Sequence, residues 1–197
     1  MNPNQALWEK GDFTQLAVLM RQSGEALVES LAIRPPLRAL DLGCGDGTTA
    51  VPLAQAGADV LGIDIARNLV EAGQRRAAAL GLGNLRFQHG DACDLQGVDD
   101  QSFDLAVSMF GAMFAPKPSD VARHLVRVVK PGGRIVIIDK NAAHWGKLET
   151  PQWEKWFHDE ELKKLLRRHC AQVESRPISY WEDVEPDGLF LAWLAVR

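Results

Sequence analysis

The sequence predicts an α/β fold: a doubly wound, mostly parallel sheet with helices on both faces. Three observations carry this prediction. Residues 37–42 form an apolar run that stops at three alternate glycines, Gly43, Gly45 and Gly47, and gives way at once to a helical pattern. Further short apolar runs, at 58–63, 84–88, 103–109 and up to Asp139, alternate with helical patterns, as βαβ units require. The last two strand-like stretches, 172–180 and 189–196, are joined by a short connection across Glu182-Asp183 and Pro186-Asp187-Gly188. So short a link implies an antiparallel pair.

The elements follow in chain order. Residues 4–32 read as helical with a break near Gly11-Asp12, and the second part carries Leu16, Leu19, Met20, Leu27, Val28 and Leu31 at helical spacing. Arg34-Pro35-Pro36 ends that helix and hands over to the first strand. Glycines after the strand have a physical use. Lacking Cβ, they can take positive φ and let a ligand lie on the backbone. The helix expected after Asp46 would point free N–H groups into the same space.

The segment Asp41-Leu42-Gly43-Cys44-Gly45-Asp46-Gly47 resembles the first motif of the class I S-adenosylmethionine-dependent methyltransferases. Its G-x-G-x-G spacing differs from the G-x-G-x-x-G of dinucleotide enzymes. The resemblance implies a seven-stranded sheet of order 3-2-1-4-5-7-6 with the last strand antiparallel. It also implies S-adenosyl-L-methionine as cofactor and S-adenosyl-L-homocysteine as product. Gly43, Gly45 and Gly47 would cradle the methionine part, and Asp41 would position its amino end. The N-terminal segment of this family often covers the cofactor pocket. Trp8 and Phe13 either do so here or simply pack their helix onto the domain.

The second strand, 58–63, ends at Asp64, about 20 positions beyond Gly45, as expected of a βαβ nucleotide unit. A carboxylate there can accept hydrogen bonds from both ribose hydroxyls, or it can cap the helix that follows. Ile65 would line the adenine ring. A helix follows from about Arg67 to Leu80, ended by Gly81-Leu82-Gly83, and then a third strand at 84–88. His89-Gly90-Asp91-Ala92 resembles the family's third binding element, in which Asp91 accepts from the adenine amine and the Ala92 N–H donates to the ring. Asp91 could instead cap a turn, and Asp94 is a nearby competitor.

Phe103 to Met109 is a strongly apolar fourth strand. Met109 and the loop 110–116 fall at its carboxyl end, where acceptor should meet cofactor. Phe110 and Phe114 are candidate acceptor contacts, and sealing the core is their competing role. The loop offers no general base. A helix begins at Ser119-Asp120, and Lys130-Pro131-Gly132-Gly133 turns into the fifth strand, a further structural hallmark of the family. Residues 140–159 are irregular and aromatic, with His144, Trp145, Trp153, Trp156, Phe157 and His158. His144 is a candidate base near neutral pH and Trp145 a candidate acceptor contact; both also suit a surface turn. Aromatic faces here could hold an apolar acceptor or face a sulfonium. Residues 160–169 read as an amphipathic helix.

Composition bounds the function. The 197 residues suit one domain spanning 1–197, with a helical cap at 1–36, a cofactor-binding core at 37–139 and a substrate side at 140–197. The net charge of -4 gives no electrostatic case for nucleic acid. Lys163-Lys164 and Arg167-Arg168, the densest basic cluster, read as a solvated helix face. Three cysteines, Cys44, Cys93 and Cys170, with no C-x-x-C pair suggest neither disulfides nor a metal site. The first residues do not read as a signal peptide and no apolar run is long enough to span a bilayer, so the expected location is cytoplasmic. The resemblance implies transfer of a methyl group from S-adenosyl-L-methionine by in-line displacement, and the apolar and aromatic loops with modest acidity favour a small-molecule acceptor. A non-catalytic cofactor-binding partner subunit, a protein or RNA acceptor, and a nicotinamide-dependent oxidoreductase are the competing readings.

Overall fold

A computed structural model describes residues 2, 4–149, 151–179 and 185–197. Short helix α1 (Gln5–Trp8) and longer α2 (Thr14–Ser30) precede β1 (Arg38–Leu42). Then come α3 (Ala50–Gln55), β2 (Asp59–Asp64), α4 (Arg67–Ala79), β3 (Leu85–His89) and β4 (Phe103–Met109). The chain finishes with α5 (Pro118–Val128), β5 (Val129–Lys140), α6 (Asp159–Leu166), β6 (Gln172–Ile178) and β7 (Phe190–Val196). The seven strands form one sheet of order β3-β2-β1-β4-β5-β7-β6. β1 to β5 run parallel, and β7 is antiparallel to both β5 and β6. This is the predicted fold class and strand order.

Each sheet face has its own apolar layer. Val28 of α2, Val51 and Leu53 of α3, and Val70 and Ala77 of α4 pack with Val60, Leu105 and Val107 on one face. Val121 and Leu125 of α5 and Leu162 and Leu166 of α6 pack with Leu40, Ile137 and Trp193 on the other. Parallel strands covered on both faces must be apolar throughout, and β4 is an unbroken apolar run apart from Asp104 and Ser108. Trp193 is fully buried, and its indole N–H donates to Asp159 Oδ1 at 2.8 Å, fixing the start of α6 against β7.

Four elements differ from expectation. The first crossover helix opens at Ala50, not directly after Asp46, because residues 43–49 are used by the glycine turn. β5 already begins at Val129, opposite Phe103, before the Pro131-Gly132-Gly133 turn. The register then jumps to Leu105 opposite Arg134, so the turn is looped out of the ladder. α6 closes at Leu166, three residues short of His169. β6 ends at Ile178; the expected strand end at Tyr180 and the connection at Glu182-Asp183 lie outside the described residues. Among the described residues no helix is long and apolar enough to cross a membrane.

Candidate functional site

The carboxyl ends of β1 to β5 open into one cavity of about 470 Å³. Asp41 of β1 and the turn residues Gly43, Cys44, Gly45 and Asp46 form its floor. Gly43 has φ 72°, and a Cβ there would come within 2.8 Å of Gly111 Cα, so the β1 and β4 loops touch backbone to backbone. Gly45 has φ 55° and open space where a Cβ would sit. Its bare main chain therefore faces the cavity. Gly47 turns the other way, against the Phe87 ring in the core, and does not line the cavity.

Asp64, at the end of β2, is tied to this turn. Its Oδ2 accepts from the Gly45 N–H at 2.8 Å and its Oδ1 from the Ala66 N–H at 2.9 Å. The carboxylate thus braces the glycine turn and the entry to α4 together, with the Ile65 N–H as a third backbone donor, and its roughly four acceptor sites leave room for a ligand hydroxyl. Ile65 and Leu69 continue the wall toward Asp91 and Ala92. Asp91 Oδ1 accepts from the Cys93 N–H at 2.9 Å and from Asn2 Nδ2 at 3.2 Å. The turn-capping use of Asp91 is therefore present, and these bonds occupy only one of its oxygens.

Buried acids concentrate here. Burial pushes the Asp41 carboxyl up to about 7, against one bond from the Ala50 N–H that favours ionisation and a neighbouring Asp64 that does not. Its Oδ2 has no hydrogen-bond partner among the described residues. Asp64 is likewise raised by burial, opposed by its backbone donors. A carboxylate in such a place is completed by a cation, which restores the charge that burial disfavours. Asp46, buried beside them, accepts from Arg21 Nη2 at 3.1 Å, and Arg76 Nη1 donates to the Gly47 carbonyl at 3.1 Å. These two arginines clamp the turn from outside. The sequence reading did not single them out, since they lie 25 and 29 residues away from their partners.

A cluster of aromatic rings also lines the cavity. Trp8 of α1 sits 4.6 Å from both Phe13 and Phe114 and 5.7 Å from Trp153, measured between ring centroids. Asn4 Nδ2 donates to the Phe114 carbonyl at 2.7 Å and holds α1 across the opening. Met109, Phe110 and Gly111 line the cavity as well. Phe110 has φ 53°, a left-handed backbone unusual for an aromatic residue, and its ring meets Phe190 edge-on at 5.5 Å. His144 and Trp145 are not brought to the cavity. The His144 ring packs beside Gly188 and Asn141, and Trp145, 50% exposed, leans on Trp156. Lys140 and Glu154 are among the lining side chains that passed unnoticed in the sequence. No run of residues marks them as a pair.

This donor set fits an adenosyl sulfonium compound. The unpartnered Asp41 oxygen suits an ammonium, Asp64 suits a diol, and the space over Gly45 admits a chain lying on the backbone. Comparison with known proteins agrees. Residues 40–137 match the methyltransferase domain family. An uncharacterized protein of Mycobacterium tuberculosis is 39% identical over 136 residues, covering 68% of this chain and 49% of that protein. A demethylmenaquinone methyltransferase of Paenarthrobacter aurescens is 31% identical over 154 residues, covering 78% of this chain and 56% of that protein. The chain thus spans about half the length of these relatives. The magnesium protoporphyrin IX methyltransferase of Synechocystis, solved with S-adenosyl-L-homocysteine bound, has the same fold at a TM-score of 0.69 and 22% identity, covering 95% of this chain and 89% of that one. The chain belongs to the class I S-adenosylmethionine-dependent methyltransferase family.

Proposed function

We propose that the chain binds S-adenosyl-L-methionine on the acidic residues of the cavity and transfers its methyl group to a small, flat acceptor held among the aromatic ones. The meeting of these two kinds of lining in one cavity carries the reading: the acids Asp41, Asp64 and Asp91, and the rings of Trp8, Phe13, Phe114 and Trp153. In this reading Asp41 accepts from the ligand's ammonium, and Asp64 accepts from the ribose hydroxyls while still holding Gly45. Ile65 and Leu69 cover the adenine, whose edge meets Asp91 and Ala92. Met109, Phe110 and Gly111 stand at the junction and set how closely the acceptor approaches.

The bound cofactor supplies a methyl group already activated by positive sulfur, so the protein need only hold the nucleophile close and in line. The aromatic lid formed by Trp8 excludes water from that encounter and offers ring faces to a cation.

Incubation of the purified chain with tritiated S-adenosyl-L-methionine and fractionated bacterial extract tests the reading. Label in the small-molecule fraction supports it. Label in protein or RNA overturns the acceptor class. Binding of NAD(H) without binding of S-adenosyl-L-methionine, measured by calorimetry, overturns the reading altogether.

A further inference from the structure

One charged pair in the cavity has no use at the cofactor end. Lys140 closes β5, and its Nζ lies 3.1 and 3.0 Å from the two oxygens of Glu154. Both side chains are mostly buried, at 15% and 7% exposure, and both line the cavity. The segment bearing Glu154 is docked on the end of β5. The Lys155 N–H donates to the Met113 carbonyl at 2.7 Å, and the Ala142 N–H donates to the Phe157 carbonyl at 2.8 Å. The Trp156 indole N–H holds Glu154 Oε2 at 2.8 Å, and the Lys140 ammonium lies 5.0 Å from the Trp156 ring centroid.

A buried ion pair is weak evidence for stability, because desolvation offsets the attraction and an apolar pair of equal volume often does as well. This pair also has spare capacity. Among the described residues Glu154 Oε1 receives the lysine alone, and an ammonium has three N–H donors, one beyond the two directed at Glu154. Asp139, fully buried beside them, accepts from the Met113 N–H at 3.1 Å, and its carboxyl is pushed well up by burial. Lys140 and Glu154, with Asp139 behind them, are thus the titratable groups at this place. Among the described residues Asp41, Cys44, Asp46, Asp64 and Asp91 are the other titratable side chains that line the cavity. β5 stands two strands from β1, about 10 Å across the sheet edge. An acceptor of roughly one ring bridges that gap.

We propose, on the methyltransferase reading above, that the Lys140–Glu154 pair selects acceptors bearing an acidic hydroxyl on a flat ring, a phenol or an enol. Glu154 is the base and Lys140 holds the oxyanion. The hydroxyl O–H bond breaks and its proton passes to Glu154 Oε1, leaving the electron pair on oxygen beside the Lys140 ammonium. That oxygen forms its bond to the methyl carbon as the carbon–sulfur bond breaks, with the electron pair passing to sulfur. Glu154 then returns the proton to water. A cationic amine is disfavoured at this place, because Lys140 already neutralises Glu154 and repels a second positive charge.

4-Nitrophenol tests this, since its anion is coloured and reports its own ionisation. With the protein saturated by S-adenosyl-L-homocysteine, 4-nitrophenol should bind about ten-fold more tightly than 4-nitroanisole, as hydrogen bonds to charged groups imply. Lys140→Met leaves Glu154 unopposed and should raise the pKa of the bound phenol by about one unit or more. Glu154→Gln leaves the ammonium unopposed and should lower it by a similar amount, about one unit or more. A merely structural pair predicts no such opposite movement. Equal affinity for phenol and anisole, or a bound pKa indifferent to both substitutions, overturns the proposal. Calorimetry with S-adenosyl-L-homocysteine separates the two levels. Absence of cofactor binding by the unsubstituted protein defeats the methyltransferase reading, whereas intact cofactor binding without hydroxyl preference defeats this proposal only.

Discussion

Replacing Asp41 by Asn should make the protein more stable and a poorer binder, and the stability gain should depend on pH in a defined way. Asp41 titrates at about 7 in the folded protein against an ordinary value of 3.8, because burial disfavours its charge. The unfolded chain therefore loses this proton at lower pH than the folded one. The penalty on folding is absent below pH 4, grows as pH rises toward 7, and then levels off. Three units of displacement correspond to about 4 kcal/mol at pH 8. By linkage the penalty at pH 5 is smaller by about 2–3 kcal/mol. Asn keeps an oxygen for the Ala50 N–H and cannot ionise. In urea unfolding, the advantage of Asp41→Asn over the unsubstituted protein should widen by about 2–3 kcal/mol between pH 5 and pH 8. In thermal unfolding that widening corresponds to roughly 5–10 °C for a chain of this size. Affinity for S-adenosyl-L-methionine should fall in the same variant, since its ammonium loses its carboxylate. A stability difference that stays constant from pH 5 to pH 8 would refute the reasoning, because the buried charge would then not be its source.

Three further outcomes are expected. Asp64→Ala removes both the brace on Gly45 and the diol acceptor, and should weaken cofactor binding by roughly 1–3 kcal/mol in calorimetry; a folded variant with unchanged affinity removes Asp64 from the site. Trp8→Ala strips the ring that meets Phe13, Phe114 and Trp153, and should weaken ligand binding by about 1–2 kcal/mol while the sheet core keeps its unfolding temperature. His144→Ala should leave the turnover rate within about two-fold, because its ring lies against Gly188 and not in the cavity. A hundred-fold loss there, of the size general-base removal produces, would restore His144 to the mechanism.

Much of the fold was legible because it is written in local pattern. The run Phe103–Met109 is apolar apart from Asp104 and Ser108 and is a strand from end to end. The glycine turn and the acidic tips Asp64 and Asp91 stand at the ends of consecutive strands, so their common position follows once the strands are parallel. Less was legible where backbone geometry overrides periodicity. Nothing in the pattern of residues 46–50 says that the turn continues to Thr49, or that Gly47 packs against Phe87. Contacts across chain distance were invisible for a different reason. Lys140 and Glu154 are 14 residues apart and meet because Lys155 and Phe157 dock on neighbouring backbone groups. Arg21 reaches Asp46 because α2 packs beside α3. The prominent aromatic and histidine cluster drew attention to His144 and Trp145, whereas the same segment delivers Trp153 and Glu154 to the cavity.

A crystal structure of the chain grown with S-adenosyl-L-methionine tests the central claim most directly. The account predicts the ribose hydroxyls on Asp64, the ammonium against Asp41, the methionine chain over Gly45, and the methyl group pointing toward Phe110 and the Lys140–Glu154 pair. Density for the compound elsewhere, or in the cavity with Asp41 and Asp64 untouched, would contradict it.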